Sequence, residues 1–260
     1  MRSDSTRQVV TVLAYIVTLA LNAAATTIPL GGQATNVISD SFHVYVIPAG
    51  YVFAIWGLIY TLLGVFTVWQ ALPRNREDAT ARDLGWLPAL TGLLNSVWII
   101  LFQYRLFVPA VPVIVALLVT LIAIHFRLDR SANLRGGRFW AIRAPWSVYL
   151  GWITVATIAN IAQTGQYLGI DAGSAAPFIA SLVLLTGVAI ASRFVYKFAD
   201  AAYGWVIVWA YVGVAVKESG TPIVAGTALA GAAIVAALVI RAMVDRRRPS
   251  GRVAGATAAA

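Results

Sequence analysis

The 260-residue sequence contains no cysteine, only two histidines and few charged residues. The absence of cysteine excludes a disulfide framework, a thiolate metal site and a cysteine nucleophile. His43 and His125 are too few for a histidine-rich metal site. Charged residues make up 11% of the chain, whereas soluble globular chains carry roughly 25%. Ten acids and nineteen bases cannot cover a water-facing surface, so the composition predicts a polytopic membrane protein.

Long apolar runs fill the chain, and 60% of its residues are hydrophobic. A charge at mid-bilayer costs about 2.5 kcal/mol or more, so charged residues mark the ends of candidate spans. A helix needs roughly 20 residues to cross, with about 17 to 25 tolerated. We therefore predict an all-α fold with eight transmembrane helices, at residues 9–30, 48–72, 84–104, 108–126, 139–163, 176–192, 201–216 and 222–240. The seventh is slightly short, and it is bounded by Asp200 and Lys217, both of which are able to snorkel toward water.

The distribution of basic residues predicts how these helices are oriented. With the N-terminus in the cytoplasm, every Lys and Arg except Arg105 and Lys217 falls in a cytoplasmic segment. This asymmetry follows the positive-inside rule and predicts a multi-pass protein of the cell membrane with both termini cytoplasmic. The net charge of +9 then reflects topology, and we expect no nucleic-acid partner. The first run also fits a secretory signal with a small-residue cleavage site at Ala23-Ala24-Ala25, an alternative that charge counting does not decide.

Ionisable groups are scarce inside the predicted spans. No Asp, Glu or Lys lies in the eight cores, and Arg143 and His125 fall near the cytoplasmic face. A proton-coupled mechanism would therefore lack its usual relay. The pattern also contains no carboxylate pair, no metal-ligand cluster and no Ser/His/Asp arrangement at membrane depth, which argues against an enzyme.

Two of the nine tryptophans lie deep within predicted spans, and each is accompanied by an amide. Asn95 precedes Trp98 by one turn, and Asn160 follows Trp152 by two turns. An amide in hydrocarbon must find a partner, so both amides should face protein rather than lipid. Two interpretations stay open. The amides join helices, or they are polar points in an aromatic-lined pocket of the kind that holds flat apolar ligands.

Three motifs lie in order in the second, third and fifth spans. Span two begins at Pro48 with PAGYVFAIWGLIY. Span three contains LNSVW around Asn95, followed by Phe102, and span five contains WITVATIAN from Trp152. These motifs resemble the tryptophan-rich sensory protein/translocator protein family (TspO/MBR), whose members show proline followed by W-V-F and V-W…Y, then L-N-x-x-W…F, then W-x-x-F-A-x-x-L-N. The resemblance covers roughly residues 9–165 and favours a retained first helix over its cleavage.

The resemblance implies a five-helix bundle with a pocket that opens toward the first loop, residues 31–47. Family members bind porphyrins, haem, sterols or drug-like aromatic ligands, and are described as transporters, sensors or regulators of tetrapyrrole metabolism. By motif position, the ligand-binding residues of the family correspond here to Tyr51, Asn95, Trp98, Trp152 and Ala156, with Phe102 as a weaker candidate. Residues expected to serve mainly in bundle packing are Trp56, Tyr60 and Asn160.

The sequence departs from the family pattern at several positions. Pro48-Ala49 stands in place of a double proline, and Tyr51 stands in place of the tryptophan that follows it. Pro145 precedes Trp152 by seven residues, where the usual spacing is four. Tyrosine keeps a stacking face and adds a hydroxyl group, so a pocket at this position can persist.

Three further spans follow the resembling region, and the five-helix family lacks them. We therefore divide the chain into a five-helix bundle at 1–165, three additional helices at 166–245 and a basic tail, expected to be disordered, at 246–260. Small residues let neighbouring helices approach closely. The eighth span has them at Gly226, Ala230, Gly231 and Ala232. We expect them to serve core packing or a homodimer.

The sequence favours an integral membrane protein that binds a small hydrophobic or aromatic ligand for sensing, regulation or transport. By resemblance the ligand is tetrapyrrole-like, a porphyrin or haem, and no metal or other cofactor is predicted. The expected partners are this ligand, the lipid bilayer and a second copy of the chain. Two alternatives stay open: a transporter of a small hydrophobic metabolite, and a membrane-embedded enzyme that acts on an isoprenoid, a lipid or a porphyrin.

Overall fold

The computed structural model describes residues 2–28, 30–131 and 134–247. Within these ranges the chain forms α-helices and no strand, as the sequence predicts. The helices are α1 Arg2–Thr27, α2 Thr35–Ser39, α3 Ile55–Ala71, α4 Ala79–Leu84, α5 Leu87–Gln103, α6 Phe107–Arg130, α7 Ala144–Tyr167, α8 Ala176–Phe198, α9 Ala201–Lys217 and α10 Pro222–Arg247. A 3₁₀ turn at Gly50–Ala54 leads into α3, and a π turn at Phe139–Arg143 leads into α7.

The long helices follow the order of the predicted spans. Segments long and apolar enough to cross a membrane are Ser3–Thr27, Gly50–Ala71, Phe107–Arg130, Gly173–Phe198 and Pro222–Asp245. The chain is therefore a multi-pass membrane protein. Helices α5 and α9 are apolar but have only 17 residues each, and α7 is less apolar than either of them. The full set of eight spans therefore stays a prediction. The predicted tail lies, from residue 248 onward, outside the described residues.

Helix α7 lies at the centre of the molecule and packs against α3, α6 and α9. Its residues are buried on every side from Ala144 to Ile153. Polar side chains farther along α7 bond back to their own helix, such as Asn160 Nδ2 to the Ala156 carbonyl oxygen at 3.0 Å. A helix enclosed by protein does not need the apolar surface that lipid demands. This position explains why α7 carries more polar residues than its neighbours.

The last three helices pack by close approach at glycines. A Cβ atom at Gly231 of α10 would lie 2.4 Å from Val188 Cγ2 of α8 and 3.1 Å from the Tyr211 ring of α9. Of the small residues predicted to pack, Gly231 and Ala232 are buried between helices. The other two, Gly226 and Ala230, are exposed on the outer face of α10, and a homodimer through them stays a prediction.

Asp200 is buried and does not snorkel, contrary to the prediction. Its side chain is 1% exposed, and Oδ2 accepts a 2.6 Å hydrogen bond from Ser147 Oγ. The same oxygen lies 3.6 Å from Arg143 Nη2 and 3.7 Å from His125 Nδ1, while Oδ1 accepts from the Tyr203 amide that begins α9. The carboxylate, for which the sequence predicted contact with water, is therefore surrounded by protein groups such as Ser147 on α7 and His125 on α6.

Candidate ligand-binding site

Two neighbouring cavities lie where α1, α3, α5 and α7 meet residues 35–52, which we call the roof segment. The larger cavity, the chamber, has a volume of about 450 Å³. Its lining consists of Leu19, Asn22, Ala23, Thr26, Thr35, Gly50, Phe53, Ala54, Trp56, Gly57, Tyr60 and Ile99. The smaller cavity, the cleft, has a volume of about 30 Å³. It is lined by Thr35, Ser39, Ile47, Pro48, Phe53, Trp56, Trp98, Phe102, Trp152, Val155, Ala156, Ala159, Asn160 and Gln163.

The chamber opens sideways between α1 and the start of α3. On α1 its edge consists of the exposed residues Leu19, Ala23 and Thr26. On the facing side the edge is formed by Gly50, Ala54 and Gly57. No atom lies within 4 Å of the position that a Cβ would take at either glycine. Small residues on one wall therefore leave a gap that faces the outside of the helix bundle.

The cleft is a packed aromatic site that joins α5 to α7. Four residues expected from the family motifs line it together, namely Trp98, Phe102, Trp152 and Ala156. All four side chains are buried, with exposed fractions of 2% to 9%. Trp98 stacks on Phe102 with ring centroids 5.3 Å apart. These predicted site residues are therefore close together in the folded chain.

Phe53 and Trp56 separate the chamber from the cleft, because both side chains line both cavities. The Trp56 ring stacks on Tyr60 at 5.4 Å on the chamber side and on Trp98 at 6.2 Å on the cleft side. Phe53 meets the Trp152 ring edge-on at 5.6 Å. Trp56 and Tyr60, which the family pattern assigns mainly to packing, are thus part of the cavity walls.

Hydrogen bonds between buried amide side chains hold Asn22 in the chamber wall. Asn22 Nδ2 donates to Asn95 Oδ1 at 2.7 Å and to the Thr18 carbonyl oxygen at 2.8 Å. Asn95 Nδ2 in turn donates to the Tyr149 hydroxyl at 2.9 Å. Asn95 is fully buried and lines neither cavity, and it contacts the chamber wall through Asn22. Because both amide hydrogens of Asn22 are used, its Oδ1 is the polar atom that remains available as an acceptor.

A second set of polar groups lies at the cleft. Trp98 Nε1 donates to Asn160 Oδ1 at 3.1 Å, which fixes the indole against α7. Trp152 Nε1 is buried and has no hydrogen-bond partner among the described residues. A buried N–H without an acceptor is unfavourable, and a ligand oxygen can satisfy it. One residue of the cleft lining, Trp152, therefore carries a hydrogen-bond donor without an acceptor.

Tyr51 is not brought to the site. Its ring is 46% exposed and packs edge-on against Trp209 of α9, with centroids 5.4 Å apart. The reason is local: Tyr51 lies in a 3₁₀ turn, which advances about 120° per residue and not the roughly 100° of an α-helix. That turn directs Phe53 toward the cavities, so Phe53 supplies the aromatic wall expected from Tyr51.

The comparison with protein families agrees with these observations. The family model described as TSPO-like protein matches residues 8–241. The chain belongs to this family. No curated protein and no solved structure matches the chain significantly. The matched region continues through α8, α9 and α10, so a C-terminal extension beyond the family is not confirmed for this TSPO-like protein.

Serine, histidine and aspartate do meet once in the described part of this TSPO-like protein, away from both cavities. Ser147 Oγ donates to Asp200 Oδ2, and His125 approaches the same carboxylate. A nucleophilic serine must instead hydrogen-bond to the histidine that takes its proton. The arrangement therefore links helices and does not activate the serine. Among the described residues, no group of three or more His, Asp or Glu could hold a metal ion.

Sequence reasoning missed Asn22 and Phe53 as wall residues. Asn22 is the only amide in the first predicted span, and this isolated polar group was a usable signal. Its partner Asn95 lies 73 residues away, so the local sequence pattern does not predict the contact between the two amides. The position of Phe53 depends on the 3₁₀ turn, which the sequence pattern does not indicate.

Proposed function

We propose that this TSPO-like protein binds a flat, hydrophobic or aromatic small molecule in the chamber and cleft, for sensing, regulation or transport. The observation that carries the proposal is a chamber of about 450 Å³ that shares an aromatic wall with a closed cleft. Ligand pockets are typically apolar cavities of about 300–1,000 Å³ with few polar groups. The chamber meets this description with one amide, from Asn22, and three aromatic rings, from Phe53, Trp56 and Tyr60.

The ligand enters the chamber first and stacks on Trp56 and Tyr60. The cleft of about 30 Å³ holds little more than one water molecule. A flat ligand reaches Trp152 only when Phe53 and Trp56 move aside. In that position the Trp152 N–H meets a ligand oxygen, and Asn22 Oδ1 meets a ligand N–H. Both porphyrin and haem agree with the family resemblance, and both carry carboxylates for the Trp152 N–H. Only free-base protoporphyrin also has ring N–H groups, because the ring nitrogens of haem bind iron, so protoporphyrin is the main probe.

The position of the opening supports a ligand that dissolves in lipid. Both helices that flank it, α1 and α3, belong to segments apolar enough to cross a membrane. Neighbouring side chains on their outer faces, such as Ile16 and Leu58, are 53% and 48% exposed. A gap between two membrane-crossing helices faces acyl chains and not water. A hydrophobic molecule can therefore enter from the bilayer without crossing a polar surface.

Ala54→Leu tests the chamber directly. The side chain is exposed at the opening, so leucine fills space there without overpacking the core. We expect protoporphyrin affinity, measured by quenching of tryptophan fluorescence, to fall by about tenfold or more. Ala230→Leu makes the same change on the exposed face of α10 and should bind like the parent. Equal affinity in all three proteins would reject the chamber as the binding site.

We also propose that eight helices cross the cell membrane, with both termini in the cytoplasm. The short helices α5 and α9, at 17 residues each, reach the lower limit of about 17 residues for a span. The cysteine-free background allows single-cysteine labelling. Ser41→Cys should react with an impermeant maleimide in intact cells, and Glu77→Cys only after permeabilisation. The reverse pattern would overturn the orientation.

Transport and sensing are separated by a flux measurement. Purified protein in proteoliposomes should bind protoporphyrin in either case. A transporter would also increase net movement of the probe across the vesicle membrane, whereas a receptor would leave it at the rate of protein-free vesicles. Ala54→Leu should abolish any protein-dependent flux, because it closes the chamber.

A further inference from the structure

The final two turns of α9 contact the roof segment through its backbone. The Ala49 amide donates to the Gly213 carbonyl oxygen at 3.1 Å. Trp209 Nε1 donates to the Val52 carbonyl oxygen at 3.2 Å. Both contacts join residues more than 150 positions apart in the chain. They fix the backbone between Pro48, which lines the cleft, and the turn that carries Phe53.

Gly213 allows α9 to lie directly against this backbone. A Cβ atom at Gly213 would lie 2.1 Å from Val52 Cγ2 and 3.1 Å from Pro48 Cβ. The first distance is far below van der Waals contact, so no larger residue fits without movement of the roof segment. The glycine is therefore needed where α9 lies against Pro48, a residue of the cleft lining.

Two side-chain contacts extend the same junction along the roof segment. Lys217 Nζ lies 2.5 Å from Asp40 Oδ1, and His43 Nε2 lies 3.5 Å from Glu218 Oε1. The Glu218 side chain is only 3% exposed although it follows the last residue of α9. The segment from 40 to 52 is thus held to α9 at both of its ends.

We infer that the end of α9 is a positioning element of the ligand site, because it holds the roof segment closed over the cleft. Loosening this junction frees Pro48 and Phe53 together, and these are the groups that close the cleft and divide it from the chamber. Helix α9 thereby sets how fast a ligand leaves the cleft. The effect on ligand release rests on the proposed function. The contact between α9 and the roof segment does not depend on it.

Gly213→Ala tests the contact by hydrogen–deuterium exchange and mass spectrometry. Overpacking at this position should raise exchange of peptides from residues 44–53 by about tenfold. Gly220→Ala is the matched control, since no atom lies within 4 Å of its Cβ position. The double variant Gly213→Ala/Val52→Ala removes the clashing methyl group and should restore slow exchange. A general structural defect would not be rescued in this way and would also raise exchange in α10.

The same proteins test the consequence for the ligand. Protoporphyrin should dissociate about tenfold faster from Gly213→Ala than from the parent, and the double variant should recover most of the difference. Unchanged exchange in residues 44–53 would overturn the inference, as would fast exchange with unchanged dissociation. If the parent binds neither protoporphyrin nor haem, the proposed function fails, and the exchange data alone decide whether α9 holds the roof segment.

Discussion

The bundle region, residues 2–167, and the C-terminal region, residues 176–247, differ in the polar side chains that join their helices. In the bundle region, amides and aromatic rings join the helices, as between Asn22 and Asn95 and between Trp56 and Trp98. In the C-terminal region, helices approach at glycines such as Gly231. Close glycine contacts occur in both regions, as at Gly92 on α5 and Gly231 on α10, but residues 176–247 contain no Asn or Gln that could join helices. The cavity with aromatic walls lies in the bundle region.

The C-terminal region has a groove of its own, but of a different character. It has a volume of about 320 Å³ and lies between the ends of α8 and α10. Its lining is mostly aliphatic and charged, with Val195, Tyr196, Ala199, Leu238, Arg241, Ala242 and Asp245. The groove therefore lacks the stacked rings that suit the chamber to a flat ligand.

Helix α9 belongs to both regions. Near its start Asp200 reaches Ser147 on α7, and near its end Trp209 and Gly213 reach the roof segment. The C-terminal region thus braces the bundle region at both ends of a single helix. If this comparison is correct, substitutions near the start of α9 should lower stability. Substitutions near its end should change the rate of ligand release.

The largest expected effect is on stability, at Asp200. Asp200→Ala removes the acceptor of the Ser147 hydroxyl and leaves Arg143 paired only with the more exposed Asp129, at 3.5 Å. Leaving a buried charge wholly unpaired typically costs about 3–5 kcal/mol, so we expect a loss near the lower end of this range. We expect a markedly lower thermal midpoint in detergent. Asp245→Ala, which removes a 56% exposed carboxylate from α10, should change the midpoint little. Similar losses in the two variants would show that the Asp200 contacts do not join the regions.

A glycine pair within α10 tests close packing in the C-terminal region. Gly231→Ala should destabilise the protein by about 1–3 kcal/mol, because its Cβ would overlap Val188. Gly226→Ala, on the exposed face, should be neutral or stabilising by about 0.5–1 kcal/mol, since alanine favours helix. Thermal midpoints of the two variants measure the difference. Equal midpoints would mean that α10 does not depend on close approach.

In the bundle region, Trp152→Ala should weaken protoporphyrin binding by about tenfold or more, through lost stacking and apolar burial. Trp152→Phe keeps a ring but loses the indole N–H, and should weaken binding by about fivefold if that donor meets the ligand. Trp140→Ala is the control, because that ring is 62% exposed. Fluorescence titration of monodisperse fractions gives the affinities. Parent-like binding by both Trp152 variants would exclude the cleft.

The smallest expected effect concerns pH at the end of α9. Burial raises the pKa of Glu218 above its usual value, although His43 and Lys217 act in the opposite direction. A carboxyl whose pKa is raised by folding is easier to protonate in the folded state, so its contribution to stability is lost as pH rises through the folded pKa. Glu218→Gln should therefore make the thermal midpoint depend less on pH. The difference from the parent should lie at pH values just above the usual pKa range of carboxyl groups. An unchanged profile would contradict this assignment.

Several parts of the fold follow from the sequence. The seventh predicted span, 201–216, agrees closely with α9 at Ala201–Lys217, because charges and apolar length define helix ends locally. The third, 84–104, begins too early, since Asp78 caps the separate short helix α4 and α5 starts at Leu87. In the site, the expected group Trp98, Phe102, Trp152 and Ala156 lines one cleft. These residues lie on regular α-helices, where spacing alone indicates which side chains share a face.

The sequence by itself determined the helical class, the membrane environment and the aromatic motifs, because each depends on hydropathy, charge and spacing over one or two helices. Only the tertiary structure decided that Tyr51 turns away from the site, that Asp200 is buried and that Asn22 joins the chamber wall. The burial of Asp200 and the position of Asn22 each depend on a partner at least 50 residues away, on another helix. The orientation of Tyr51 depends on the 3₁₀ turn that carries it. The direction in which a side chain points is therefore settled when the helices meet, since burial and hydrogen bonding are properties of the assembled bundle.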